Sequence, residues 1–206
     1  MHVSIADVSP MQFRRALCAL LPIALAACAS TSVDRPVQVS VSPAAATTPP
    51  SVAFDIDWKQ RLDQPYVFLE VVGDYRDARR QLATLAQQAA AQGVRPSGPP
   101  FGLFYDDPAR VPVEFCRARI CWPVASTTSV AGPLGYDVLP SQVVLYGFAR
   151  GRYADLEQAY GGMFEELRQK SWVLDGPIRE IYHTDPGTVR GPEELMAELQ
   201  MPWRAL

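Results

Sequence analysis

The segment "GPIREIYHTDP" at residues 176–186 repeats the pattern of "GPPFGLFYDDP" at residues 98–108. Both segments begin with Gly-Pro, end with Asp-Pro and have the same length, and they lie 78 positions apart. Glu180 in the second segment takes the position that Gly102 has in the first. A segment that occurs twice at a fixed spacing indicates an internal repeat, and the repeat can be traced outward from this point.

The spacing of 78 residues also relates the stretches that precede these two segments. A Gly-x-Tyr-x-Asp pattern begins at Gly73 and again at Gly151. Each pattern opens a stretch with apolar residues three or four positions apart, which predicts one buried face of a helix. The two faces consist of Tyr75, Ala78, Leu82, Leu85, Ala86 and Ala89, and of Tyr153, Leu156, Tyr160, Met163, Phe164 and Leu167. The shared pattern and phase predict an internal duplication.

Each copy is predicted to fold as strand, helix, strand and strand, because β-branched and aromatic runs bounded by Gly or Pro flank each helix. The predicted strands are 66–73, 101–105 and 113–124 in repeat one (about 65–124), and 141–150, 179–184 and 195–203 in repeat two (about 136–203). The last strand can also be read as a helical turn followed by a short strand. We predict an α+β domain of duplicated β-α-β-β units with pseudo-twofold symmetry, antiparallel sheets, one long helix per repeat and a groove between the repeats.

The first 28 residues have the features of a secretory leader. Arg14 and Arg15 precede an apolar run that ends in Leu-Ala-Ala-Cys at residues 25–28. The run is shorter than the ~20 residues that span a bilayer. We predict a signal peptide at residues 1–27, with Met11 as the start. The last four residues resemble the bacterial lipobox, which implies lipidation of Cys28; the alternative is a plain cleaved signal with an incidental cysteine.

Residues 28–62 are rich in Ser, Thr, Ala and Pro, which predicts a disordered tether before a domain at residues 63–206. Ala29 rather than Asp follows Cys28, and by resemblance to Gram-negative lipoproteins this implies the outer membrane. The expected location is the bacterial cell envelope, lipid-anchored and on the periplasmic side.

The composition excludes several classes of function. The net charge is −3 and no basic run occurs, which argues against nucleic acid as a partner. No His and Cys residues have zinc spacing, and no Gly-rich loop has the spacing of a phosphate site. Only His183 remains as a histidine after the leader, so a Ser-His-Asp triad would depend on one residue. No metal and no cofactor are predicted.

The Gly-x-Tyr pattern after the first strand of each copy, the "REIYHTDP" stretch and the final Met-Pro resemble the GyrI-like, or AraC-type effector-binding, domain. The resemblance covers about residues 65–203. It implies two β-α-β-β units with a small-molecule pocket between them, which in multidrug-responsive regulators takes flat, cationic, amphipathic compounds. It also implies that the carboxylate before the late Ile-Tyr, here Glu180, belongs to the pocket. A lipoprotein leader stands where the regulators have a DNA-binding region, so transcriptional activation is not expected.

Alternation along a strand places Ile178, Glu180 and Tyr182 on one side and Arg179 and His183 on the other. If the first set lines the groove, a buried Glu180 without a partner takes up a proton or awaits a cation. Aromatic side chains could add cation–π attraction. The predicted ligand-binding residues are Glu180, Tyr182, Tyr105, Trp122, Tyr146 and Trp172, with Tyr136 as a further aromatic candidate. The alternative is an internal ion pair, for which Arg117, Arg119 and Arg150 are available.

The leading hypothesis is a membrane-tethered binding domain for small amphipathic molecules in the cell envelope, with a preference for cations. An enzyme is the first alternative: some stand-alone members of the family resemble hydrolases of reactive small molecules, which implies Glu180 as general base with Tyr182 or Tyr146 as the tyrosine. A module that binds an envelope protein is the second alternative. Haem-binding SOUL proteins share this overall fold, so His183 is also a conceivable haem ligand.

Cys116 and Cys121 stand five positions apart on one predicted strand. Their side chains should point to opposite faces, which opposes a disulfide unless a bulge intervenes. Two buried thiols are expected, with a partial disulfide as the alternative.

Overall fold

In each predicted repeat the strands and helices follow one another in the predicted order of strand, helix, strand and strand. The computed structural model describes residues 52–125 and 128–206. The strands are β1 (Val52–Arg61), β2 (Gln64–Val72), β3 (Phe101–Phe104), β4 (Arg117–Pro123), β5 (Gly135–Leu139), β6 (Gln142–Arg150), β7 (Trp172–Leu174), β8 (Ile178–Tyr182) and β9 (Met196–Ala205). The structure thus contains three strands that were not predicted, β1, β5 and β7. The helices are α1 (Tyr75–Arg80), α2 (Leu82–Ala91) and α3 (Tyr160–Gln169), and 3-10 helices span Val113–Phe115, Tyr153–Ala159 and Pro192–Glu194.

The strands form a curled antiparallel sheet in the order β1-β6-β9-β8-β3-β4-β2-β5, with β7 paired to β9. The helices pack on one face of this sheet, called the helix face here, and the opposite face is called the reverse face. Two apolar clusters lie under the helices, one around Leu85 and Ile120 and one around Leu156 and Met163. A mixed α/β fold with an antiparallel sheet is thereby confirmed. No helix among the described residues is long and apolar enough to cross a bilayer.

The structure differs from the predictions at the start of the domain and in the continuity of the helices. The predicted tether extended to residue 62, but β1 begins at Val52 and pairs with β6 as far as Arg61. The predicted signal peptide, Cys28 and the remainder of the tether lie outside the described residues. Each repeat was also expected to contain one long helix. The first is interrupted at Gln81, and the second begins as the 3-10 helix Tyr153–Ala159 before α3.

Matching features recur at the predicted spacing of 78 residues. Strands β2 and β6 occupy corresponding positions, and Gly73 and Gly151 both have a positive φ, of 126° and 118°. The hydroxyl of Tyr75 donates to the carbonyl of Asp106 at 2.9 Å, and that of Tyr153 donates to the carbonyl of Thr184 at 2.6 Å. An origin by duplication stays a prediction.

The two repeated segments, 98–108 and 176–186, contain the strands that pair at the centre of the sheet. Strands β3 and β8 are antiparallel, and their register sets Gly102 directly opposite Glu180. A Cβ at Gly102 would lie 2.7 Å from the Phe104 ring and 3.0 Å from the Tyr182 hydroxyl. Glycine at this position therefore leaves room for the side chains that surround Glu180. Cys116 and Cys121 are both buried free thiols, as expected.

Candidate functional site

Glu180 lies at the centre of a buried hydrogen-bonded cluster on the helix face. Its side chain is 0% exposed. Arg79 of α1 donates two hydrogen bonds to the carboxylate, from Nε to Oε2 at 2.9 Å and from Nη2 to Oε1 at 2.6 Å. The hydroxyl of Tyr182 donates to Oε2 at 2.7 Å, and that of Tyr160 donates to Oε1. A carboxylate has about four acceptor sites. The two N–H groups of Arg79 and the two tyrosine hydroxyls use all four sites. We call Glu180, Arg79, Tyr160 and Tyr182 the Glu180 cluster.

Local structure explains how Arg79 reaches this position. Asp74 caps α1, because its Oδ1 accepts the backbone N–H of Arg76 at 2.8 Å. The helix that follows buries only Ala78 and Arg79, in its last turn. The Arg79 guanidinium lies 5.1 Å from the centre of the Phe104 ring. Phe104 belongs to β3, the strand that pairs with β8. The capped helix thus directs a cationic side chain into the centre of the fold.

The expectation that Glu180 lacks an internal counter-ion is wrong. The counter-ion is Arg79, and two of the three arginines considered from the sequence have other partners: Arg117 binds Asp106 at 2.8 Å, and Arg119 binds Asp137 at 2.8 Å. The sequence held a signal for Arg79, since it lies four residues after Tyr75 and three before Leu82, within the apolar helical face. That signal was missed because a charged residue in such a stripe is ordinarily assigned to solvent.

Electrostatics favour the charged pair together with neutral tyrosines. Burial lowers the pKa of Arg79, but the hydrogen bonds and the charge of Glu180 outweigh burial and raise that pKa above its usual value. Burial raises the pKa of Tyr160 and of Tyr182 well above the usual range, and the negative charge of Glu180 raises both further. Both hydroxyls therefore remain protonated and can act only as donors toward the carboxylate.

Above about pH 10 the domain is expected to lose stability through these two tyrosines. In an unfolded chain a tyrosine ionises near pH 10, whereas the pKa of Tyr160 and Tyr182 is well above that value in the folded domain. The unfolded state therefore releases protons that the folded state keeps, and the free energy of unfolding falls as the pH rises. Urea unfolding at about pH 8 and pH 11 measures the fall, and Tyr182→Phe should reduce it. Equal stability at both pH values would contradict the prediction.

A cavity of about 410 Å³ lies next to the Glu180 cluster, at the end of the strand pair where β3 ends and β8 begins. Arg79 and Tyr160 of the cluster form part of its wall. The other lining residues are Tyr75, Phe104, Tyr105, Asp106, Asp107, Pro108, Arg110, Glu157, Phe164, Leu174 and Ile178. We call it the main cavity. Its wall is mostly aromatic and apolar, with charged groups beside the loop that follows β3.

A second cavity, of about 310 Å³, lies at the opposite end of the same strand pair, where β3 begins and β8 ends. Tyr182 of the Glu180 cluster lines it, together with Leu82, Ala86, Pro99, Pro100, Trp122, Tyr153, His183, Thr184, Asp185 and Pro186. Glu180 stands in the middle of β8, opposite Gly102 of β3. The Glu180 cluster therefore separates the main cavity from the second one.

The structure brings together some of the residues predicted for the site and separates others. Tyr182 contacts Glu180, Tyr105 contributes to the main cavity, and Trp122 contributes to the second cavity. Tyr146 lies on the reverse face, where the Lys59 ammonium is 4.3 Å from its ring centre, so its predicted pairing with Glu180 is wrong. Trp172 stacks on Trp203 at 3.5 Å and is not part of the wall of either cavity.

The alternation predicted for β8 is correct. Glu180 and Tyr182 belong to the helix face, and Arg179 and Ile181 line a cavity on the reverse face. Ile178 lines the main cavity, as the same alternation requires. Tyr160 is the residue that sequence reasoning placed on the correct helical face without including it in the site. Among residues 52–125 and 128–206, no three His, Cys, Asp or Glu side chains are grouped to hold a metal ion.

A comparison with family profiles identifies the fold. The profile described as the GyrI-like small-molecule-binding domain matches residues 55–204. The chain belongs to this family. The GyrI-like domain thus includes most of β1, which agrees with the corrected N-terminal boundary. No curated protein matches the sequence.

Solved structures of other proteins share the architecture of this GyrI-like domain. The C-terminal domain of EcmrR superposes with a TM-score of 0.64 at 17% identity, over 73% of this chain and 98% of that chain. In the EcmrR–DNA complex the TM-score is 0.66 at 17% identity, and the match spans 73% of this chain but only 57% of the EcmrR chain. These identities show similarity of fold alone.

Two further structures with this fold come from proteins with different descriptions. A hydrolase from Listeria innocua superposes with a TM-score of 0.52 at 12% identity, over 77% of this chain and 94% of that chain. SAV2435 bound to tetraphenylphosphonium superposes with a TM-score of 0.50 at 16% identity, over 73% and 94% of the two chains.

Proposed function

We propose that this GyrI-like domain binds small amphipathic molecules in the main cavity. The observation that carries the proposal is a cavity of about 410 Å³ with aromatic and apolar walls whose floor is a fixed charged cluster. This volume falls within the range of small-molecule sites, which combine apolar walls with a few fixed polar groups. SAV2435, a protein of the same fold, was solved with the lipophilic ion tetraphenylphosphonium, which supports a ligand of this general type.

The ion pair changes the expected charge preference of the cavity. The sequence predicts a preference for cations on the premise that Glu180 has no internal counter-ion, but in the structure Arg79 occupies the position expected for a ligand cation. Nη1 of Arg79 is buried and has no hydrogen-bond partner. We therefore propose that the cavity, with Arg79 in place, favours neutral or anionic amphipathic molecules that can accept a hydrogen bond or face the guanidinium. Cations enter with comparable affinity only after Arg79 leaves Glu180.

Tetraphenylborate and tetraphenylphosphonium test this proposal, because they have similar shapes and opposite charges. Calorimetry on the full chain should show binding of tetraphenylborate that Ile178→Trp weakens by about tenfold or more, since the larger side chain fills the main cavity. Val138→Trp, at an exposed position of the edge strand β5, is the matched control and should leave binding unchanged. Binding that is unaffected by Ile178→Trp would place the ligand elsewhere and reject the proposal.

We further propose that Cys28 anchors the domain to the outer membrane, on its periplasmic side. The support is the Leu-Ala-Ala-Cys sequence at residues 25–28, which follows an apolar run and a pair of arginines. Several acyl chains on one residue would hold the protein stably, since each buried CH₂ group contributes ~0.8 kcal/mol. Labelled palmitate should be incorporated into the full chain in a Gram-negative host and not into Cys28→Ser. Equal labelling of both proteins would contradict the anchor.

Hydrolysis with Glu180 as general base gains little support from the geometry. A general base needs a free acceptor site within hydrogen-bond distance of the proton that it removes. Arg79, Tyr160 and Tyr182 use all the acceptor sites of Glu180. A binding role for the main cavity is therefore preferred over catalysis by this residue.

A further inference from the structure

The reverse face of the sheet carries two arginines that lack a carboxylate partner. Arg61 ends β1, and Arg179 lies in β8 with only 5% of its surface exposed. Neither forms an ion pair with any described residue of the chain. Glu198 lies on the same face, but its Oε1 binds Lys59 Nζ at 2.5 Å and accepts a hydrogen bond from Nε2 of Gln200 at 2.7 Å, and its Oε2 lies 3.6 Å from Nε2 of His183. Two guanidinium groups are therefore held in the protein without a neutralising contact.

Three buried polar atoms at this position have no hydrogen-bond partner: Nη1 of Arg61, Nε of Arg179 and Oε1 of Gln200. Arg179 and Gln200 are direct neighbours across strands β8 and β9. The orientation of the Gln200 amide follows from its contact with Glu198, because a carboxylate can only accept and must face the NH₂ group. The group thus presents two donors and one acceptor.

The same three residues line two cavities. One, of about 230 Å³, extends toward Gln142 and Gly176, and the other, of about 470 Å³, extends toward Lys59 and Gln64. Arg61, Arg179 and Gln200 belong to the walls of both. The three atoms themselves have almost no accessible surface, but the side chains that carry them line open space that could hold a ligand.

The remaining contacts fix both guanidinium groups in place. Arg61 Nη2 donates to the carbonyl of Pro140 at 2.8 Å, and Arg179 Nη2 donates to Oε1 of Gln64. The Arg179 guanidinium also lies 4.0 Å from the centre of the Phe101 ring. These contacts hold both guanidinium groups beside the cavities, and a shift of the side chains would turn the unpartnered atoms toward a ligand.

Electrostatics indicate that the missing partner is an anion. Burial and, to a smaller extent, the nearby positive charge of Arg61 together lower the pKa of Arg179 to about 10, although Glu198 opposes the effect. Burial also lowers the pKa of Arg61, and Asp63 opposes this. Two desolvated like charges repel each other, and an oxyanion between them would replace the repulsion by charge-assisted hydrogen bonds.

We propose that the reverse face binds a tetrahedral oxyanion that carries a hydroxyl group, namely hydrogen phosphate, between Arg61, Arg179 and Gln200. The free oxygens accept from Arg61 Nη1 and Arg179 Nε. The hydroxyl donates to Gln200 Oε1, an acceptor that a fully deprotonated anion would leave unsatisfied. This site is distinct from the main cavity, because Arg179 and Glu180 point to opposite faces of β8.

Calorimetric titration of the full chain at pH 7 and constant ionic strength tests the site with sodium phosphate, sodium sulfate and phenyl phosphate against sodium chloride. Phosphate should bind about tenfold more tightly than sulfate, because sulfate has no hydroxyl for Gln200. Phosphate should also bind more tightly than phenyl phosphate, because a phosphate monoester is largely a dianion at pH 7 and has no hydroxyl for Gln200. The reverse order would contradict the role assigned to that hydroxyl. Phosphate and sulfate that act no differently from chloride would overturn the proposal and leave water as the partner of these atoms.

Variants locate the site. Arg61→Met and Arg179→Met should each weaken phosphate binding by about tenfold or more, because each removes a charged donor. Arg168→Met is the matched control, since Arg168 is exposed and pairs with Glu165 on α3. If Arg179→Met does not fold, Arg61→Met decides alone, because Arg61 is only partly buried at the end of its strand. Equal loss in Arg168→Met, or no loss in Arg61→Met, would overturn the proposal.

Discussion

Replacing Arg79 by methionine is expected to lower the free energy of unfolding by about 3–5 kcal/mol, the usual effect of removing one partner from a buried ion pair. The Arg79 and Glu180 side chains are 7% and 0% exposed, so the variant leaves a carboxylate in the interior with two hydroxyl donors and no cation. Urea unfolding followed by circular dichroism measures the change. Arg80→Met, in the same helix and with a side chain that is 78% exposed, is the control and should change stability by less than about 0.5 kcal/mol.

A double-mutant cycle separates the ion pair from the packing of Arg79. Glu180→Gln should also destabilise the domain, because it leaves the guanidinium without its counter-ion. The double variant Arg79→Met/Glu180→Gln carries no buried charge at this position, and its loss should be well below the sum of the two single losses. Losses that add would mean that Arg79 contributes through packing alone, and the Glu180 cluster would then be no electrostatic unit.

The second expected result is a reversal of ligand preference. In the wild-type chain Arg79 faces the main cavity, and tetraphenylborate should bind more tightly than tetraphenylphosphonium. In Arg79→Met the cavity faces a carboxylate without a cation, and the aromatic wall can add cation–π attraction. The affinity for tetraphenylphosphonium should rise by about 10- to 100-fold, which corresponds to ~1.5–3 kcal/mol for a desolvated charge contact.

The double variant again provides the control. Arg79→Met shortens a side chain that lines the main cavity and so adds space to it. The double variant Arg79→Met/Glu180→Gln keeps this added space but lacks the carboxylate, so most of the gain in affinity for tetraphenylphosphonium should be lost. A gain of equal size in the double variant would show that space and not charge limits binding of the cation. Circular dichroism at each titration temperature verifies that the variants are folded. Unchanged preference in Arg79→Met would contradict the role assigned to the ion pair.

The parts of the fold that depend on short-range pattern were predictable from the sequence. The helical phase from Tyr75 and from Tyr153 located both helical segments, and the local patterns located the six strands of the two units within a few residues, although β4 begins only at Arg117, after the 3-10 helix Val113–Phe115. Strands β1, β5 and β7 were missed. Two of them, β1 and β5, lie at the edges of the sheet, and β7 has only three residues and pairs with β9 alone. Their formation depends on partners far away in the sequence, which local pattern does not reveal.

The site illustrates the same limit at the level of single residues. Tyr182 was predicted because it is two positions from Glu180 on one strand, where geometry is fixed by alternation. Arg79 was missed because it is 101 residues away from Glu180 and reaches it only through the packing of α1 on the sheet. Tyr146 was misassigned for a different reason: its strand was predicted correctly, but nothing in the sequence indicated that its side chain lies on the face opposite to Glu180.

The position of the Glu180 cluster between two cavities has a consequence for the length of a ligand. A compact molecule can fill the main cavity while Arg79, Tyr160 and Tyr182 keep their contacts. A rod-like molecule that spans both ends of the β3–β8 pair must first break this partition, whatever its own charge. If these contacts break, the main cavity and the second cavity would join into one channel under the helices. The domain would then select ligands by their length as well as by their polarity.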